Sequence, residues 1–373
     1  MDFKRLSRRA ITGETLLAEE CQTILESPEI ALPALIQAAF EVRQKFCGRE
    51  VMLHIINNAQ NGHCPEDCHY CAQAKSSDAA INEYALKSDE EILAEAQQAY
   101  KNGAYRYCMV FAGRGPSQRR TEHLARLIRT IKDRYPLKIC VSAGLLDDEK
   151  ARILKEAGLD RLNHNLNTSE EHYPKICTTH TFADRLNTLK AARQAGIELC
   201  SGIIIGMGET KNDIIDVAFR LRDMEIQSIP VNFFIPIKGT ALKGTPELTP
   251  EYCLRVLCLF RFLNPRAEIR VAAGREIHLR SMEVLALYPA NSLFLQGYLN
   301  ARGSSNRRTL QMIKDAGFTI KSDIPLEILL HEESSSEPAS QDPEGIILKD
   351  LSELRPYRSP ATTSSPKSCT SSG

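Results

Sequence analysis

The sequence predicts an α/β protein of the TIM-type (β/α)8 barrel class, with an N-terminal helical extension over residues 1–48, the barrel over 49–331 and a Ser/Pro-rich tail over 332–373. Three observations carry this. Eight short β-branched or apolar runs recur between residues 51 and 297, longer amphipathic stretches separate them, and 43% hydrophobic with 25% charged residues can bury one large core. Strand–helix alternation demands parallel pairing. Eight repeats within about 250 residues fit a closed barrel better than the competing open, doubly wound sheet.

Residues 1–48 carry a helical pattern, with Leu35, Ile36, Ala39 and Phe40 on one face. The strand candidates are VMLHII (51–56), YRYCMVF (105–111), KICVS (138–142), LDRLNHNL (159–166), IELCSGIII (197–205), IPVNFF (229–234), EIRVAA (268–273) and NSLFLQG (291–297). Helical signals fill the gaps: SDEEILAEAQQAYKNGA (88–104) opens with Ser and an acidic turn and closes at Gly103, and TFADRLNTLKAARQAG (181–196) closes at Gly196. From Glu332 the chain is rich in Ser, Pro and Thr with almost nothing to bury, so the tail is expected to be disordered.

Lys plus Arg and Asp plus Glu are equal at 47 each, so charge balance gives no general attraction to nucleic acid or to an anionic membrane. The charged start lacks the apolar core of a secretory signal and no stretch has eighteen uninterrupted apolar residues, so a cytoplasmic location is expected. Twelve cysteines in a reducing compartment favour metal or redox chemistry over a disulfide framework.

NGHCPEDCHYCAQ (61–73) places Cys64, Cys68 and Cys71 in a loop just after the first strand, the end of a barrel where chemistry gathers. Three soft thiolates suit an iron–sulfur cluster or zinc. Zinc would need a fourth ligand, which His63 or His69 could supply; a 4Fe-4S cluster held by three cysteines keeps one iron open for a small molecule.

The CxxxCxxC spacing with Tyr70 before the last cysteine resembles the signature of radical S-adenosylmethionine enzymes. The wider stretch CPEDCHYCAQ, with YRYCM (105–109), LNHNLNTS (162–169), LCSGIIIGMGET (199–210), PVNFFIPIKGT (230–240) and IRVAAGRE (269–276), is similar to the biotin synthase family within it. The likeness runs from about residue 30 to about 320 in consistent order. It implies a 4Fe-4S cluster on Cys64, Cys68 and Cys71 that cleaves S-adenosylmethionine to a 5'-deoxyadenosyl radical. It further implies a 2Fe-2S cluster, on Cys108, Cys140, Cys200 and Arg270, that donates sulfur to dethiobiotin. These four lie inside expected strands, deeper than the loop triplet, and an arginine within an apolar strand is costly unless paired. Cys21, Cys47, Cys177, Cys253, Cys258 and Cys369 match no motif.

Asn163, Asn165 and Asn167 alternate, and would share one face if the fourth strand stays extended. The resemblance assigns Asn163, Asn165 and Asn232 to the ureido ring of dethiobiotin, and Tyr70, Asn165, Asn167 and Arg185 to S-adenosylmethionine, Arg185 pairing its carboxylate. Amides offer a urea both donor and acceptor. Gly206 and Gly208 would let backbone approach a ligand. The resemblance also implies flavodoxin or ferredoxin as electron donor and a homodimer. Three places depart from the family pattern: Asn167 stands for an aspartate, VFAGRGPS (110–117) replaces a segment with tryptophan, and His180 stands for an arginine. Two other readings are a paralogue acting on another substrate and a zinc-stabilised barrel without catalysis.

Overall fold

The strands that form the barrel, in chain order, are β1 (Glu50–Gln60), β2 (Arg106–Phe111), β3 (Lys138–Ser142), β4 (Arg161–Asn163), β5 (Glu198–Cys200), β6 (Ile203–Ile205), β7 (Ser228–Phe233), β8 (Glu268–Val271) and β9 (Ser292–Phe294). Each pairs in parallel with the next, with β5 and β6 both on β7, and β9 returns to β1 through Met52 opposite Ser292. A sheet whose last strand pairs with its first has no edge, so this is the closed barrel that the alternation predicts. It is seen in a computed structural model that describes residues 1–243 and 247–336. The tail beyond residue 336 lies outside the described residues.

The run 291–297 shortens to Ser292–Phe294 and the first strand runs on to Gln60, and two further strands differ from expectation for one shared reason. The run 159–166 forms only three strand residues, and the run 197–205 forms two strands interrupted at Ser201 and Gly202. Gly202 passes so close to β7 that a Cβ there would stand 1.9 Å from the Pro230 carbonyl oxygen. The freed backbone then bonds across: Asn167 N donates to Gly202 O at 2.9 Å and Ile204 N to Asn167 O at 2.8 Å. Asn167 takes a left-handed φ of 70° to do so, which an asparagine tolerates better than most residues. The fourth strand therefore does not stay extended to Asn167.

The helices α1 (Phe3–Thr12), α2 (Ala18–Glu26) and α3 (Leu32–Cys47) precede the barrel. They pack against α8 (Lys211–Asp223) and α9 (Pro250–Leu263). That cover explains α9, which is buried from Cys253 to Leu263 on every face and is apolar there except for Arg255 and Arg261, as a doubly covered helix must largely be. Cys253 and Cys258 are small core residues there. The starts of α4 (Asp89–Lys101), α7 (Phe182–Gln194) and α8 are set by reciprocal caps: Ser88 with Glu91, Thr181 with Asp184 and Thr210 with Asp213. Each cap contributes about 1 kcal/mol and fixes where the loop above the barrel ends.

Candidate active site

The loop after β1 brings Cys64, Cys68 and Cys71 to the wall of one cavity of about 270 Å³ at the C-terminal end of the barrel. All three are half-buried. Burial pushes the Cys71 thiol up to about 11 and raises Cys64 as well. Cys68 is raised by its bond to Cys177, Sγ to Sγ at 3.8 Å, and by burial. The same bond holds Cys177 down to about 4. Ligation of iron by Cys68 therefore requires its proton to leave, as metal binding to any thiol does.

A cluster binds each thiolate to a different iron, so its ligands stand around it; a single ion draws them together. Among the described residues, the one group of Cys, His and carboxylate atoms all within 4.8 Å of one another is Cys68, Cys177 and His180. The two histidines expected to complete a zinc site do not reach the cavity: His63 is exposed and 3.8 Å from Glu83, and His69 Nδ1 lies 3.0 Å from the Lys175 carbonyl oxygen. The triplet, standing around a cavity that neither His63 nor His69 enters, fits the open-iron cluster.

Residues 177–180 are clamped to this loop. Asp67 accepts from Thr178 N at 3.0 Å and Thr179 Oγ1 at 3.0 Å, and these bonds outweigh burial to hold its carboxyl well below the usual range. Glu66 faces His180 Nδ1 at 2.5 Å, and His180 Nε2 accepts from Arg185 Nη2 at 2.9 Å. With Nε2 accepting, the network assigns the ring proton to Nδ1, which donates to Glu66. Arg185 is buried, donates to Asn165 O at 2.7 Å and to Tyr173 Oη, and has no carboxylate partner among the described residues. Such a guanidinium fits the carboxylate of S-adenosylmethionine. Asn167 Nδ2 donates to Tyr70 Oη at 2.5 Å, and burial keeps that phenol protonated.

Deeper in the barrel, register places Cys108 of β2 directly opposite Cys140 of β3. Hydrogen bonding from Cys140 lowers Cys108, while Cys108 holds Cys140 up to about 12, with Cys200 as the third thiol of the chain. Arg270 Nη1 lies 3.7 Å from Cys200 Sγ, and Asn163 Nδ2 donates to the same sulfur at 3.2 Å. Arg270 Nη2 donates to Glu268 at 2.6 Å and Ser228 at 2.8 Å, but its buried Nε has no partner among the described residues. Three converging thiols and an unpartnered guanidinium nitrogen fit an iron–sulfur cluster as a fourth-ligand set. His54, packed between Glu268 at 2.9 Å and Cys108 at 3.7 Å, is pushed down to about 3 by burial and by Arg270, so it stays neutral.

The two sites share walls. Asn163, Asn165, Ser142, Val110 and Tyr298 line both the upper cavity and a smaller space beside Cys108, Cys140 and Arg270. Asn167, Asn232, Tyr70 and Arg185 line the upper cavity too, so all the expected small-molecule residues converge although the strand ends at Asn163. Asn232 is already tied at both ends, Nδ2 to Ile203 O at 3.0 Å and Oδ1 from Ala273 N at 3.2 Å, leaving one donor and one acceptor position for a ligand. Gly206 and Gly208 do not line the cavity; Gly206 N and Met207 N instead donate to Glu209, both at 2.7 Å. Sequence reasoning missed Glu66, Asp67, Cys177, His54 and Glu268. The last had a signal, a carboxylate two residues before Arg270 in an apolar strand.

The family model for the Radical SAM superfamily matches residues 61–221, and that for the Biotin and Thiamin Synthesis associated domain matches 230–319. The chain is 59% identical over 316 residues to a biotin synthase of Acaryochloris marina, covering 85% of this chain and 91% of that protein. It is 55% identical to a biotin synthase of Magnetococcus marinus, covering 85% and 98%. Among solved structures, methylornithine synthase superposes with a TM-score of 0.74 at 23% identity, covering 88% of this chain and 99% of that one, which shows a shared fold.

Proposed function

The chain belongs to the biotin synthase family of radical S-adenosylmethionine enzymes, and on that premise we propose how its residues divide the reaction between two depths of one barrel. Sulfur insertion into dethiobiotin, giving biotin, is the family's activity, with S-adenosylmethionine, a 4Fe-4S cluster and a 2Fe-2S cluster as its cofactors. When bound, the first cluster supplies the electron that cleaves S-adenosylmethionine and the second supplies the sulfur atom.

Cys64, Cys68 and Cys71 hold the first cluster; Cys108, Cys140, Cys200 and Arg270 hold the second. Arg185 pairs the S-adenosylmethionine carboxylate, held in line by Asn165 O, Tyr173 and His180, while Tyr70, Asn165 and Asn167 contact the rest of that molecule. Asn163, Asn165 and Asn232 orient the ureido ring, so the unactivated carbons of dethiobiotin face the deeper thiols; fixing reacting groups in line supplies much of the rate. Asn167, a neutral amide in place of an aspartate, offers S-adenosylmethionine a hydrogen bond without charge.

The observation that carries this reading is the shared wall between the two cysteine groups. Family likeness supports an electron donor of the flavodoxin or ferredoxin type, a homodimer and a cytoplasmic location, and with them the division into a helical extension (1–48) and a barrel (49–331). No described helix is long and apolar enough to cross a membrane. Mössbauer spectra of iron-reconstituted protein test the ligand sets: Cys140→Ala is expected to lose only the 2Fe-2S component and Cys68→Ala only the 4Fe-4S component. Loss of both components from either change would contradict two separate sites.

A further inference from the structure

We propose that the N-terminal mouth of the barrel, opposite the active-site cavity, binds a small inorganic anion against Arg106, and that hydrosulfide entering there resupplies sulfur to the deeper cluster. This rests on the reading that Cys108, Cys140, Cys200 and Arg270 hold that cluster.

The strands state the arrangement twice over. Successive inward-facing residues on a strand are two apart, and two residues before each deep ligand stands a charge: Arg106 before Cys108, Lys138 before Cys140, Glu198 before Cys200 and Glu268 before Arg270. Barrel interiors are ordinarily filled by layers of branched apolar side chains, so a charged layer at this depth calls for partners. Most of it has them. Arg161 donates to Glu268 at 2.6 Å and Glu198 at 2.8 Å, Glu268 takes Arg270, and Lys138 reaches Asp160 at 3.2 Å.

Arg106 does not. It is 2% exposed, its Nε and Nη1 are buried without a hydrogen-bond partner among the described residues, and its Nη2 comes no nearer than 4.0 Å to Glu198. It lines a cavity of about 790 Å³ whose wall carries seven Lys and Arg side chains against four carboxylates. Such a mouth concentrates anions, and a planar guanidinium with two buried, unpartnered nitrogens gives one a seat. Glu268 is both part of that wall and bonded to Arg270, so a single layer of side chains separates the mouth from the deep ligands.

The chemistry names the anion. Each sulfur placed in product leaves the protein, so a reaction that delivers reduced sulfur must follow, and inorganic sulfide near neutral pH carries a negative charge as hydrosulfide, which is already at the oxidation level of a cluster sulfide and need only release its proton to solvent. The upper cavity is taken by S-adenosylmethionine and dethiobiotin in the reacting complex. The N-terminal mouth is a route that neither blocks.

Two readouts test this on the full chain. Crystals soaked in sodium bromide are expected to show an anomalous peak beside Arg106. Protein depleted of the 2Fe-2S cluster, given ferric iron and graded sulfide without oxygen and followed by absorbance and Mössbauer spectra, is expected to regain it with half-maximal rate at about tenfold higher sulfide in Arg106→Gln. Lys321→Glu, on the exposed rim of the same mouth, keeps the test alive if Arg106→Gln does not fold, and is expected to shift the dependence the same way by less. An unchanged sulfide dependence in both variants, or no bromide at Arg106, overturns the proposal. If the wild-type chain never forms a 2Fe-2S cluster, the ligand reading beneath it fails instead, and the proposal with it.

Discussion

Cys108 and Cys140 stand directly opposite one another on neighbouring parallel strands, and backbone register rather than side-chain choice holds them there. A loop cysteine can move to meet a metal; these two cannot move apart without breaking β2 from β3. The deep site is thus built into the barrel, whereas the loop triplet sits on a segment clamped by Asp67 to Thr178 and Thr179. The two sites are expected to fail independently. In turnover assays Cys140→Ala should keep reductive cleavage of S-adenosylmethionine while biotin formation falls by about 100-fold or more, and Cys68→Ala should lose both. Product analysis by mass spectrometry separates the two outcomes; equal loss of both products from both variants would count against the division.

Arg185 donates to a backbone carbonyl, a phenol and an imidazole at once, so its plane is fixed before any ligand arrives. Lysine keeps the charge but cannot span those three partners. Arg185→Lys is expected to weaken S-adenosylmethionine binding by about 10- to 100-fold, measured by equilibrium dialysis, with circular dichroism unchanged. Tight binding in that variant would remove Arg185 from the role.

Asn163 is in hydrogen-bond contact with both Asn165 and Cys200, which places its amide between the upper cavity and the deep thiols. Asn163→Ala is expected to weaken dethiobiotin binding by about tenfold, the loss of one buried hydrogen bond, and to leave S-adenosylmethionine binding alone. Calorimetric titration with each molecule checks the asymmetry.

Asp160 ties three elements near the N-terminal end of the barrel: it accepts from Ile139 N at 2.8 Å, from Lys132 at 2.7 Å and from Lys138 at 3.2 Å. Burial opposes its charge, but the bonds from Lys132 and Ile139 win and hold its carboxyl below the usual range. A depressed folded value means the stabilisation is present above the unfolded pKa, near about 3.9, and disappears as pH falls through the folded value. Asp160→Asn is expected to cost about 1–3 kcal/mol at pH 7, and urea unfolding at a series of pH values should show that gap closing below about pH 4.

Much of this was legible in the chain because local signals and fold agree. The runs around Cys108, Cys140 and Arg270 are strands in sequence and in structure, and Ser88 and Thr181 cap the helices that their capping-box partners announce. The early end of β4 was not, since it depends on Gly202 passing against Pro230, a contact of residues on other strands. Cys177 meets Cys68 across 109 positions, and no spacing rule reaches so far. Arg106, Glu198 and Glu268 carried a visible pattern, a charge two residues before each deep ligand, that only the alternation of a strand makes meaningful.

The most direct test is anaerobic incubation of the reconstituted chain with S-adenosylmethionine and a reductant, with and without dethiobiotin, followed by mass spectrometry of every product. The expected result is 5'-deoxyadenosine that rises when dethiobiotin is added, together with biotin. Protein shown to carry both iron and sulfide that yields neither product would contradict the assignment of Cys64, Cys68 and Cys71 to radical generation, and 5'-deoxyadenosine without biotin would contradict the assignment of the deep site to sulfur transfer.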